Sequence, residues 1–258
     1  MDYQITTAPA HEPVSLEQAK RHLRVDDGDS DALIRSYLQS ARIWCEEYAG
    51  RAFLWQTFTG RLDVFPVLMQ MPRPPLLSIS SITYVDTAGV TQTVASTIYD
   101  VDTQSEPGKV LLAYDQEWPS DLRGHHHDVT VTFIAGHAKV CTRSGDTLLV
   151  PGHRHEIGDP VQVYNIGGAL PAGLSAGVTY YVASVSGTAV TLAATEGGAA
   201  ITLADAGTGV HTIDALPSLY ANAILLRLTR MWMHRGDEEA PEGRAERELL
   251  GMRRMVPL

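Results

Sequence analysis

Cysteine is almost missing from this 258-residue chain, with only Cys45 and Cys141, far apart in sequence. Two such residues cannot make a disulfide framework, which points to synthesis in a reducing compartment. No apolar run approaches the roughly 20 residues that span a bilayer. The start, Met1-Asp2-Tyr3, has neither the basic nor the apolar region of a signal peptide, so a protein made and kept inside a cell is expected. Basic residues are also in short supply: 20 Lys and Arg stand against 30 Asp and Glu, a net charge of -10. Tight static binding to nucleic acid draws most of its affinity from phosphate neutralisation, and this balance argues against it. It leaves open a wall past which a polyanion slides. Also lacking are a Gly-x-Ser-x-Gly elbow, a P-loop, a dinucleotide-binding glycine fingerprint and a His-Glu-x-x-His helix. No catalytic residue and no cofactor are expected.

What remains is an ordinary core-forming composition, 44% hydrophobic and 19% charged. Ser15-Leu16-Glu17-Gln18 has the spacing of a capping box, and Leu16, Ala19 and Leu23 mark one face of a short helix. The acidic run Asp26 to Asp31 reads as a turn into the N-cap of a longer helix over 31–49. There Leu33, Tyr37, Leu38, Ala41, Trp44, Cys45 and Tyr48 recur at three- and four-residue spacings, and Gly50 is placed as a C-terminal stop. From Phe53 to Ile134 the period becomes two. Strands are expected at 56–64, 79–85, 91–94, 98–101, 110–113 and 129–134, with a hairpin tip at Asp86-Thr87-Ala88-Gly89.

Between about 145 and 214 Lys and Arg almost vanish, and Gly, Ala, Thr and Val dominate. Alternation at 161–164, 179–185, 189–192 and 210–213 predicts a small all-β module, with its ends near Ala138 and Ala215 close together as an insertion requires. A helix returns over 218–235, so apolar on most sides that it must be buried. An acidic linker, 237–242, then leads to a basic amphipathic tail. The fold class is therefore α+β: a helical core with an antiparallel β subdomain over 1–137 and 216–258, and an inserted all-β domain over 138–215.

Few residues invite chemistry. His125-His126-His127 and His153-x-His155 suggest metal, but adjacent imidazoles do not all turn to one ion and no zinc spacing accompanies them, so a polar turn is the plainer reading and no metal site is expected. In the Asp26–Asp31 run, Gly28 comes too early for a calcium loop, and helix capping explains it better. Tyr164, Tyr180 and Tyr181 in the β module could stack on sugars, although tyrosine in strands more commonly packs.

The segment Glu12-Pro13-Val14-Ser15-Leu16-Glu17-Gln18-Ala19-Lys20, then His22 to Asp26 and the helix from Asp31 to Arg51, resembles the opening of phage head–tail connector (adaptor) proteins. The likeness continues through Pro72-Arg73-Pro74-Pro75-Leu76, Ile82 to Asp86, Tyr99 to Asp102, Trp118-Pro119 and Val129 to Gly136, and resumes at Leu216-Pro217 as far as Met231-Trp232. Residues 138–215 depart from the family, which usually has a short loop there; they look like a β module of other phage structural proteins.

The resemblance implies a structural virion protein, not an enzyme. It implies a ring, usually of twelve copies, between the portal protein and a downstream neck or tail protein, with DNA passing through the lumen without specific binding. The place implied is the virion neck, after synthesis in a bacterial host cytoplasm, with no membrane partner. On that basis Leu33, Tyr37, Leu38, Trp44, Leu225, Leu228 and Trp232 are expected at subunit contacts. A portal-binding arm is expected in residues 242–258, through Arg244, Arg247, Leu249, Leu250, Met252, Arg253, Arg254 and Met255. The β module would face capsid, fibres or solvent; the alternative is a glycan-binding module on a structural scaffold.

Overall fold

The structure is a computed structural model, and it describes residues 1–235, 243–252, 254 and 255. These form two compact units, one of residues 1–9 and 55–136, the other of 10–54 and 137 onward.

The first unit is all β. Strands β1 (Asp2–Thr7), β2 (Gln56–Leu62), β3 (Leu68–Gln70), β4 (Leu76–Val85), β5 (Thr91–Thr93), β6 (Tyr99–Asp102), β7 (Lys109–Leu112) and β8 (Val129–Ala135) divide into two sheets. One has the order β1-β2-β8-β4-β5 and the other β3-β7-β6. Strict alternation along β8 turns Val129, Val131, Phe133 and Ala135 inward. Phe133 lies opposite Phe58 of β2, and their rings stack with centroids 5.3 Å apart. Asp86 builds the expected hairpin tip: one carboxylate oxygen accepts from the amides of Ala88 and Val90, each at 2.9 Å, and Gly89 takes the left-handed conformation. Strands β1 and β3 escaped the sequence reading. In β1 every residue is exposed, so it carries no buried face to betray it.

The second unit joins four helices to a barrel. The helices are α1 (Leu16–Leu23), α2 (Asp31–Ala49), α3 (Ser218–Met233) and α4 (Arg244–Gly251). The capping box at Ser15 and Gln18 is present, and Gly50 ends α2 in the left-handed conformation. Ser30 precedes α2 without a side-chain cap bond; Asp31 instead takes a 2.8 Å ion pair from Lys20. Ile34, Leu38, Ala41, Cys45 and Ala49 form the fully buried stripe of α2, packed on Tyr220, Ala223, Ile224 and Leu228 of α3. Within this interior Arg42 bridges Glu12 (2.7 Å) and Glu46 (2.6 Å), and Glu46 also accepts the Phe53 amide at 2.8 Å.

Strands β9 (Ala138–Ser144), β10 (Thr147–Leu149), β11 (Pro160–Ile166), β12 (Thr179–Ser186), β13 (Ala189–Ala193) and β14 (Val210–Asp214) close into a barrel in the order β10-β13-β12-β11-β14-β9. Its interior is filled by Leu148, Val150, Val161, Val163, Val182, Val190, Leu192 and Ile213, among others, which leaves no lumen. The expected strands are all there, and β9 and β10 are added as the pair that completes closure. The ends meet as expected: Asp214 pairs with Ala138, and the Ala215 amide donates to the His137 carbonyl at 3.3 Å. No helix among the described residues is long and apolar enough to cross a membrane.

Candidate functional site

The residues expected at subunit contacts fall into two groups. Leu38 and Leu228 are buried in the chain's own helical core, at 2% and 0% exposure, and offer nothing to a neighbour. Periodicity alone could not separate the stripe that closes this core from the one beside it. That second stripe of α2 carries Leu33, Tyr37 and Trp44, of which Leu33 is exposed and the aromatics half-buried. Trp44 stacks on Tyr48 at 5.3 Å, and the Arg227 guanidinium lies 4.4 Å from the Trp44 ring centre. On α3, Leu225 and Trp232 are half-buried, while Leu226 and Met233 are exposed. Ile43 of α2 is exposed as well. Leu226, Met233 and Ile43 were missed as surface candidates because the sequence pattern does not say which neighbours cover a helix.

The expected arm is a structured element in its described part. Helix α4 lies against α3 and α2, with Leu250 fully buried and Leu249 partly so. Glu246, also fully buried, meets Arg230 at 2.5 Å and Arg227 at 4.0 Å. The Met255 amide donates to the Ala49 carbonyl at 2.9 Å, and Arg254 covers the Tyr48 ring. Thus Leu250 is committed to the chain's own core, whereas Arg244 and Met252 are exposed and Arg247 is half-buried. Arg253 lies outside the described residues, as do 236–242 and 256–258. The signal for docking was in the sequence: Glu246 and Leu250 are four residues apart, on one face.

A cavity of about 810 Å³ separates the helices from the barrel, lined by His11, Gln18, Arg21, Lys139, His153, His155, Asp159, Asp214 and Asn222 among others. Polar contacts bridge it: Gln18 Nε2 donates to Asp159 Oδ1 at 2.9 Å, Arg21 pairs with Glu156 at 2.8 Å, and His11 lies 3.4 Å from Asp214. Burial dominates the electrostatics. It raises Asp214 to about 8 and Asp159 to about 6, and it lowers His11 and His155 to about 4. At neutral pH burial therefore favours the uncharged form of both Asp214 and His11. The Gln162 amide, 3.0 Å from Asp214, partly offsets the burial of that carboxyl.

The histidine tracts separate. His153 and His155 line this cavity, with rings 5.4 Å apart. In the first unit His126 and His127 stack at 3.6 Å and approach Asp63, while the His125 amide donates to Asp128. Of the three tyrosines that could stack on sugars, Tyr180 is buried and Tyr164 and Tyr181 are half-buried. Tyr180 is 5% exposed, with its hydroxyl accepting from the Ser175 amide, and the Tyr164 hydroxyl donates to Gln162.

Comparison with known proteins adds to this geometry. Residues 13–82 match the family described as phage gp6-like head–tail connector protein. No curated protein matches the sequence. Among solved structures, the chain is similar to one in the virion of a native gene transfer agent particle, at 17% identity and a TM-score of 0.59, covering 100% of this chain and 97% of that one. It is similar at 16% identity, a TM-score of 0.58 and the same coverage to chains in the neck of the empty particle, computed with C6 symmetry, and of the native particle, computed with C12 symmetry. At such identities the likeness establishes the fold, and it takes in the barrel.

Proposed function

We propose that this chain, whose residues 13–82 match the phage gp6-like head–tail connector family, is a structural subunit of a virion neck and acts as a ring of identical copies. One observation carries the reading: the whole chain shares its fold with proteins of a gene transfer agent neck whose structure was computed with C12 symmetry. A closed ring repeats one heterologous contact, so each subunit needs two different complementary faces. The half-covered α2 stripe of Leu33, Tyr37 and Trp44 suits one of them, together with Leu225, Leu226, Trp232 and Met233 of α3. The exposed residues of α4 and beyond, Arg244, Met252 and Arg254, would meet the portal protein. The barrel would face outward as an inserted module. In this arrangement the chain works by geometry and turns over no substrate. Its net charge of -10, multiplied around the ring, would give a channel wall that DNA passes without adhering.

The decisive experiment is to mix the purified chain with its portal protein and measure mass in solution, then to label the chain in assembled particles. Expected is a complex with many copies on each portal ring, and label at the neck. A chain that stays monomeric with the portal and is missing from particles would overturn the proposal.

A further inference from the structure

We propose that Asp63, His126 and His127 form a surface site for one divalent transition ion of the zinc class. Sheet register creates the cluster. Leu62 pairs with Val129 and Asp2 with Arg61, so the residue after β2, the loop before β8 and the start of β1 meet at one end of three neighbouring strands. There His126 Nδ1 lies 2.7 Å from Asp63 Oδ1, and His127 Nε2 lies 3.2 Å from Asp2 Oδ2. One potential ligand atom each from Asp63, His126 and His127 falls within 4.8 Å of the others. Zinc bound at about 2.0–2.2 Å to nitrogen and oxygen sets tetrahedral ligands ~3.4 Å apart, so the two stacked rings would swing apart to aim one nitrogen each at the ion.

The local backbone is already arranged for this. His127 sits in the left-handed region at φ 60, uncommon for a residue with a side chain, and its amide donates to Asp63 Oδ1 at 2.8 Å. That bend sets the two imidazoles face to face with their centres 3.6 Å apart, both directed at carboxylates. Two imidazoles with one carboxylate suit zinc and its neighbours better than calcium or magnesium, which prefer oxygen. The ion would replace the direct contact of His126 with Asp63 and would tie the loop before β8 to the residue after β2.

The test is calorimetric titration of the full chain with zinc, followed by cobalt, whose visible absorption reports coordination. The expected result is one ion per chain, with Asp63→Asn and His126→Ala each weakening binding about tenfold or more, since even outer-shell changes commonly cost that much. Both side chains are more than half exposed, so neither substitution disturbs the interior. His127→Asn, which tolerates the same backbone conformation, should weaken binding similarly. No binding to the parent chain, or binding unchanged in Asp63→Asn and His126→Ala, would overturn the proposal. The second outcome would assign the ion to other histidines, such as His153 and His155.

Discussion

Replacing Asp214 with asparagine should change how the chain's stability depends on pH, and the change follows from one buried carboxyl. Asp214 is raised by burial to about 8 in the folded chain, against an ordinary aspartate value of about 4 in the unfolded chain. Between those limits the folded state holds a proton that the unfolded state has lost. Stability therefore falls as pH rises, by about 1.4 kcal/mol per unit for this group alone. His11 and His155, lowered to about 4, act in the opposite direction; about 0.4 kcal/mol from each is still to come at pH 6.5, and it is common to parent and variant. Asp159, raised to about 6, is ionised by then. The difference between parent and Asp214→Asn over pH 6.5 to 8 thus isolates Asp214. Asparagine keeps an oxygen for the Gln162 amide, now 3.0 Å from the carboxylate. Across that window Asp214→Asn should gain on the parent by about 2 kcal/mol, a value set by proton linkage. Urea unfolding followed by circular dichroism at several pH values measures it. Parallel stability curves would show that the carboxyl is ionised in the fold, and the account of the cavity would be wrong.

Two further predictions probe the helices. Leu228→Ala, at a fully buried position, should cost about 2–5 kcal/mol by opening a cavity between α2 and α3, read from the urea midpoint. Glu246→Ala removes the partner of Arg230 in a buried pair and should cost about 3–5 kcal/mol; proteolysis should then release α4 while the rest resists. If α4 is as resistant in the variant as in the parent, its attachment rests on Leu249, Leu250 and the Met255 amide.

The sequence was most legible where one physical signal dominated. The capping box at Ser15, the stop at Gly50 and the alternation of β8 each specify a local conformation whatever surrounds them. β1 was invisible because an edge strand exposed along its whole length needs no apolar alternation. β9 and β10 escaped for a related reason: they carry single buried positions, Cys141 and Leu148, and their pairing is dictated by barrel closure. The surface candidates were legible only as helices, since Leu38 and Leu33 share a pattern and differ in what α3 covers. The approach of Asp63 to His126 could not be read at all, because it depends on the register of strands some seventy residues apart.

That same dependence on register bears on whether the barrel is an independent addition. Its two ends are hydrogen-bonded neighbours, His137 and Ala215, so removing residues 138–214 and joining the ends with a short glycine bridge should strain nothing. The bundle would lose mainly polar contacts. The exposed Arg21–Glu156 pair is worth about 0–1 kcal/mol, and the Gln18–Asp159 bond about 1 kcal/mol. The core of Ile34, Leu38, Ala41, Tyr220, Ile224 and Leu228 contains no barrel residue. The shortened chain should therefore keep its helical circular dichroism, unfold cooperatively only slightly below the parent, and still associate with a portal. A molten or insoluble product would show that the barrel is part of the folding unit of the helices, as its packing in one compact unit with them allows.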